Sequence, residues 1–524
     1  MANLPIHYPE IVASQLRARV ALWLFVAWSG YLALLLCAFY AHALGIGRPH
    51  LESGWLIEAA LALANFAVAP SAAVEDQGQS EWRIPWLATI ALGQLGAFLL
   101  YRRILNVGLL ADDFVLLGRA TTHAFWQPRD LFFRPLPLVV WAAVVAIVRG
   151  GAVGWVLHGI NVALHGLNAT FVTALAQRLR FARSTAFGVG LGFLCFPAHV
   201  EAVTWPSGIQ DVSMTTAVLC FLLLITGPRA TRTAFAALVA LACALLTKET
   251  AVASVGLGAL VLFSQHRRHP VRTWWVWAIS CATAAVYVAW RIWLVGPRMD
   301  NGLSTTRRGI KRFLTEPFGT LVSPWNAGDL SRWPIIGLLS CLVVLALVVT
   351  FVVRGVRRAG DRRLLILLPC VLTAVAPVGR YFFVSADLEG SRYLYLPCVF
   401  WVLFLGSLVE GTPPSRRHLR APWLAATVVV IAAWTIGTTR HQTSWRLAGE
   451  TRDRVLGAVR NTMRNSGCPT VVVDNVPDNV DGAYVFRTGL PDALDREGLH
   501  ARLVPAAEAN SETCRVSWSQ APAR

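Results

Sequence analysis

"VALWLFVAWSGYLALLLCAFY" (Val20–Tyr40) runs for 21 residues without a charged side chain. A helix rises about 1.5 Å per residue, so such a run reaches across the roughly 30 Å hydrocarbon core of a bilayer. "IIGLLSCLVVLALVVTFVV" (335–353) does the same far downstream. Of the 524 residues, 55% are hydrophobic and 15% charged, with 21 tryptophans and a mean hydropathy of +0.53. That balance lies outside soluble usage. Repeated apolar runs of this length predict an all-α polytopic membrane protein. The alternation of outer-membrane strands is absent. The first run is too long for a removable signal peptide and lacks a small-residue cleavage site.

A formal net charge of +18 raises nucleic acid as a partner, but its distribution points elsewhere. The positive residues fall in short clusters between apolar runs: "RLRFARS" (178–184), "GPRATR" (227–232), "HRRHPVR" (266–272), "RGVRRAGDRR" (354–363) and "SRRHLR" (415–420). Clusters in alternate loops mark the cytoplasmic side. With the N-terminus inside, they fit about 13 transmembrane helices, near 20–43, 55–73, 85–101, 155–178, 185–201, 211–227, 231–247, 250–264, 273–295, 334–354, 364–379, 394–410 and 422–439. The run "PLPLVVWAAVVAIV" (135–148) is short for a crossing and is expected to be re-entrant or in-plane. Segment 55–73 is the least regular span, because it holds Glu58, Asn65 and Pro70.

This topology places "NVGLLADDFVLLGRA" (106–120) at the head of a large external loop, 102–154. Asp112 and Asp113 are adjacent there, and mutual repulsion would make one hold its proton nearer neutrality, as a general base requires. They also stand where carboxylates favour a helix N-terminus. Both roles stand on the residues alone. In "HGINVALHGLN", His158, Asn161, His165 and Asn168 recur at helical spacing on one face. They are expected either to line a cavity for a polar ligand or to hydrogen-bond between helices. Lys248 is one of two lysines in the chain and adjoins Glu249 at an external helix end. The two either neutralise each other or leave Lys248 to meet a lipid phosphate. Arg134, Arg380 and Arg392 are external too, and guanidinium forks suit phosphate oxygens. The loop 296–333 adds Arg298, Arg307, Arg308, Lys311 and Arg312, for headgroup contact or capture of the donor phosphate.

Other patterns carry less. "GVGLGF" (188–193) lies within a span and is a packing surface, not a nucleotide loop. His199 and Glu201 are too few for a metal site. No cytoplasmic segment is long enough for a nucleotide-sugar domain, which disfavours a soluble donor.

The ordered set "LADDFVLL", "FFRPLPLVVW", "HGINVALHGLNATF", "FPAHVEAVTWPSGIQDVSMTT", "LLTKETAVA", "FLTEPFGTLVSPWNAGD" and "SRYLYLP" resembles the GT-C membrane glycosyltransferases. It is most similar to the branch with the protein O-mannosyltransferases and the TMTC-type O-mannosyltransferases, over about 85–410. The resemblance implies an acidic pair in the first external loop, a polyprenyl- or dolichyl-phosphate sugar donor, and inverting transfer on the outer face. Asp112 and Asp113 match the acidic pair, with Asp112 favoured as base. Arg134 matches the arginine of an "RPL" element. His199, Glu201 and Asp211 match polar positions at external helix ends, and Arg392 and Tyr393 the late "RYLYLP" element. This chain differs in two extra N-terminal spans and in lacking the tetratricopeptide repeats, so the acceptor does not carry over.

The expected organisation is an N-terminal extension (1–84), a catalytic membrane core (85–439) and a small external α/β domain (440–524). Cys468 and Cys514 lie in that last domain, on a face open to oxidation, and are expected to pair. No cofactor is firmly implied, and a divalent cation is left open. The expected partners are a polyprenyl-phosphate-linked sugar, membrane lipids, and a protein, lipid or glycan acceptor, with no nucleic acid. The preference for arginine over lysine points to a GC-rich bacterial genome and so to the cytoplasmic membrane, with site and tail facing outward. The alternatives are a transporter or flippase for a lipid-linked glycan, and a polymerase or ligase using a pyrophosphate donor.

Overall fold

The computed structural model describes residues 86–517 except 129–131, 149, 151, 228–231, 265–270, 297–315, 336, 339–341, 343–361, 380–381, 410–419, 467–469, 475, 500–501 and 504–512. The spans expected at 20–43 and 55–73, and most of 334–354, fall outside this set. The described chain is mostly helical. After α1 (Trp86–Tyr101), the loop expected at 102–154 folds into α2 (Asp112–Thr121) and α3 (Pro135–Ile147). Helix α2 is amphipathic: Phe114, Leu117 and Ala120 are buried, its two acids sit in the first turn and Arg119 in the last. That charge order follows the helix dipole. Helix α3, at 13 residues, spans about 20 Å, less than a bilayer core.

The centre of the membrane part is α4 (Ala152–Arg178), against which α1, α5 (Arg183–Leu194) and α7 (Ile209–Ile225) pack. Of the glycines of "GVGLGF", Gly190 makes the expected packing surface, while Gly188 faces open space. A Cβ on Gly190 would lie 2.0 Å from Thr173 Oγ1 and 2.9 Å from the Ala169 carbonyl of α4, so only glycine permits this approach. Prolines then cut the chain short. Pro197 holds Phe196 extended, and Pro206 does the same to Trp205, because the ring excludes helical geometry one residue earlier. Between them lies the five-residue α6 (Val200–Thr204), and the chain bends by 49° from α5 into it.

Helices α8 (Ala234–Thr247), α9 (Ala253–Ser264), α10 (Val271–Val295), α11 (Ala327–Arg332), α12 (Arg362–Val375) and α13 (Tyr395–Val409) follow. Helix α10 presents Trp275, Ile279, Val286 and Trp293 outward, as a lipid-facing helix does. Against about 13 crossings expected, the described residues hold four helices long and apolar enough to cross, or five if the bent pair at 183–204 is one span. Several remaining spans are apolar helices of 10–17 residues, shortened by breaks such as the extended Lys248 between α8 and α9.

Helix α14 (Arg420–Ser466) has 47 residues and is about 70 Å long. The boundary expected at 439/440 lies inside this continuous helix, so the last expected span and the start of the tail are one rod. The rod leads to a parallel sheet in the order β4–β1–β5, of β1 (Thr470–Asp474), β4 (Arg502–Leu503) and β5 (Thr513–Ser517). A hairpin of β2 (Asn479–Val480) and β3 (Ala483–Tyr484) turns through Asp481 and Gly482, both at positive φ, and α15 (Leu490–Arg496) follows. This mixture is the α/β character expected of the tail.

Candidate active site

The two adjacent aspartates face opposite ways. Asp113 is fully buried. It accepts hydrogen bonds from the Leu110 amide (2.8 Å), the Ser207 amide (2.8 Å) and the Ser207 hydroxyl. It therefore ties the start of α2 to the connection between α6 and α7. Burial pushes its carboxyl up to about 8, against the downward pull of the Ser207 and Leu110 hydrogen bonds; neighbouring Asp112 adds a smaller rise. Asp112 is exposed and accepts from the Thr488 hydroxyl. The N-cap position itself is Ala111, which has no capping side chain, and both acids lie in the first turn. The segment before the pair is held from several sides. Arg452 of α14 donates to the Val107 and Leu109 carbonyls, His158 to Gly108, and the Trp205 indole to Leu110.

A charged cluster gathers nearby, built where helices break. Arg134 is the residue before Pro135 and forms a two-pronged ion pair with Glu249 and a hydrogen bond with Gln210. Lys248, 3% exposed, pairs with Asp211 at 2.5 Å and lies 5.2 Å from the Tyr393 ring centre. Lys248 and Glu249 thus do not neutralise each other; each takes a partner from another element. Arg392 pairs with Glu201, its amide also donates to that carboxylate (3.1 Å), and its guanidinium stacks between Trp205 and Tyr393. Gln210 and Asp211 lie three and four residues after Ser207, so the cluster is joined along the chain to the Asp113 tie. A cavity of about 10 Å³, room for about one water, is lined by Asp211, Lys248, Thr250 and Tyr393. A more open apolar groove of about 540 Å³ lies between α9 and α10, lined by Val252, Val255, Ala284, Ala285 and Val288 among others. Val252 of its lining is two residues along the chain from Thr250 of the cavity.

In the structure the His/Asn stripe of α4 makes hydrogen bonds to other segments of the chain. All four side chains are fully buried. Asn161 donates to the Trp205 carbonyl (2.9 Å), and Asn168 to the Val212 carbonyl (3.0 Å) and the Tyr395 hydroxyl (3.2 Å). His165 Nε2 meets the Leu194 carbonyl (3.0 Å), which can only accept, so Nδ1 of the neutral ring accepts from Tyr395 (2.7 Å). His199 is buried among Phe193, Phe196 and Tyr395, away from the ion pairs its neighbour Glu201 makes.

Arg380, the cations at 298–312 and Cys468 lie outside the described residues. Cys514 is disulfide-bonded. Among the described residues, no group of three or more His, Cys, Asp or Glu is arranged to hold a metal ion. Sequence reasoning missed Ser207, Arg452, Tyr484 and Thr488. The last two come from the tail, more than 300 residues from the acid pair, and no local pattern signals them.

No protein-family model matches the chain, and no curated protein matches it. Two solved structures of the archaeal oligosaccharyltransferase from Archaeoglobus fulgidus are similar at low level. One, AglB in complex with an inhibitory peptide and a dolichol-phosphate, has a TM-score of 0.43 and 13% identity, over 74% of this chain and 62% of that one. The other, a complex with Zn and sulfate, has a TM-score of 0.42 and 14% identity, over 74% and 60%. This chain thus spans about three fifths of the length of the structures it matches. Likeness at this level does not by itself establish a common fold.

Proposed function

We propose that the chain is a membrane glycosyltransferase of the GT-C kind. It moves a sugar from a polyprenyl phosphate to an acceptor hydroxyl on the outer face of the membrane, with inversion. The observation that carries this reading is the convergence of Arg134, Lys248 and Arg392, from three distant parts of the chain, on Glu249, Asp211 and Glu201, in a cluster joined through α7 to the Ser207 that holds Asp113. A lipid phosphate leaves as a stable anion, so cations serve the departing group better than a proton donor would.

In the reaction, Asp112 takes the proton of the acceptor hydroxyl as its oxygen attacks the anomeric carbon. The bond from that carbon to the phosphate oxygen breaks, and its electron pair leaves with the polyprenyl phosphate. Glu249, Asp211 and Glu201 hold the three cations in place, and the phosphate enters as a further anion. The apolar groove between α9 and α10 suits the isoprenoid chain, since its lining is apolar and it runs along a helix that presents large apolar side chains outward. Asp113 acts structurally, fixing the loop from which Asp112 projects.

The experiment is transfer from a polyprenyl-phosphate hexose in proteoliposomes. Asp112→Asn should abolish transfer while donor binding persists, and wild-type turnover in that variant would refute the mechanism. Glycan mass spectrometry of a deletion strain separates the alternatives. A missing sugar supports the transferase, and precursor accumulating on the inner leaflet supports a flippase.

A further inference from the structure

The tail touches the acid pair itself. The Val485 carbonyl accepts from the Ala111 amide at 3.0 Å, the Phe486 ring stacks on Phe114, and the Thr488 hydroxyl donates to the Asp112 carboxylate. Gly489, at φ +80°, seats this bend so closely that a Cβ there would lie 2.4 Å from the Ala111 carbonyl oxygen. On the other side, the Tyr484 hydroxyl accepts from Arg392 at 3.0 Å, and its ring packs on Trp205. Tyr484 is 3% exposed, whereas the Thr488 contact is exposed to solvent. One end of the segment is thus anchored in the charged cluster, and the other rests on the carboxylate assigned as base.

We propose that the bend Phe486–Gly489 is an intramolecular stand-in for the acceptor: Thr488 occupies Asp112 in the resting protein and gives way when an acceptor hydroxyl arrives. This rests on the transferase reading of Asp112. The chemistry follows from the contact, because a base that removes a hydroxyl proton must first accept a hydrogen bond from that hydroxyl. Thr488 presents the same group with the same polarity. Its contact competes with the acceptor for the carboxylate. Tyr484 stays in place when the bend opens, because its partners belong to the charged cluster.

The test uses the full-length protein in detergent and two readouts. The first is labelling of carboxylates with a water-soluble carbodiimide and glycinamide, located by peptide mass spectrometry. Thr488→Val should raise labelling of Asp112 and leave Asp113 unlabelled, and Thr488→Ser should behave as the wild type. Equal labelling of Asp112 in Thr488→Val and wild type overturns the proposal. The second is hydrolysis of a farnesyl-phosphate hexose, with water as the acceptor. Thr488→Val should hydrolyse it about tenfold faster, the equivalent of one hydrogen bond to a charged group. Raised labelling with unchanged or slower hydrolysis also overturns the proposal, since Thr488 would then not compete with an acceptor. No hydrolysis by either protein counts against the transferase reading, and the labelling alone then decides the contact.

Discussion

Replacement of Asp113 separates the two aspartates most cleanly. Its carboxyl group accepts three hydrogen bonds in a fully buried position, from the Leu110 amide and from the Ser207 amide and hydroxyl. Asp113→Asn keeps a carbonyl oxygen for Ser207 but turns an NH2 toward the Leu110 N–H. A buried donor left without an acceptor costs about 1–3 kcal/mol. Unfolding entropy near 2.1 cal/mol/K per residue amounts to about 1.1 kcal/mol/K for 524 residues, so Tm should fall by about 1–3 °C. Asp113→Ala removes all three bonds and should cost about 3–4 kcal/mol, or about 3–4 °C. Asp112 is exposed, and Asp112→Asn should change stability by no more than about 0.5 kcal/mol while abolishing transfer. Intrinsic tryptophan fluorescence during thermal unfolding in detergent reads stability, and the proteoliposome assay reads activity. A wild-type Tm in Asp113→Asn, together with a large drop in Asp112→Asn, would refute the assignment of structural and chemical roles.

The Asp113 carboxyl also predicts a pH dependence. Its value in the folded protein, about 8, lies above the ordinary 3.8, so its contribution to stability is complete below about pH 4 and is lost as pH rises through about 8. Wild-type Tm should fall between pH 5 and pH 9, and Asp113→Asn should show a smaller fall; equal slopes would remove Asp113 as the cause. Lys248→Met leaves Asp211 as an uncompensated buried charge and should cost about 3–5 kcal/mol. Adding Asp211→Asn should recover most of the Tm but not the transfer activity, and recovery of both would show the pair to be purely structural. Asn168→Leu and His165→Phe each remove interhelical hydrogen bonds and should each lower stability by about 1 kcal/mol. Neither should change the KM for the donor, and a specific rise in KM would restore the cavity-lining role to the α4 stripe.

Charge-free runs such as Val20–Tyr40 declare a membrane protein because crossing the bilayer requires about twenty apolar residues in series, a requirement written along the chain. The spacing of His158, Asn161, His165 and Asn168 likewise shows in the sequence that they share one helix face. The span expected at 185–201 runs through Pro197, whereas the structure breaks the chain there and at Pro206, close to Glu201 and Asp211. Sequence alone left open which way each group turns. Asp112 and Asp113 are neighbours of identical chemistry, yet one is buried under Ser207 and the other lies open beneath Thr488. Lys248 passes over its neighbour Glu249 to pair with Asp211, and the α4 stripe hydrogen-bonds to segments from across the chain. Partner choice depends on distances between segments 30 to nearly 400 residues apart. Those distances arise when helices pack and α14 carries the tail back onto the first loop, and only the tertiary structure sets them.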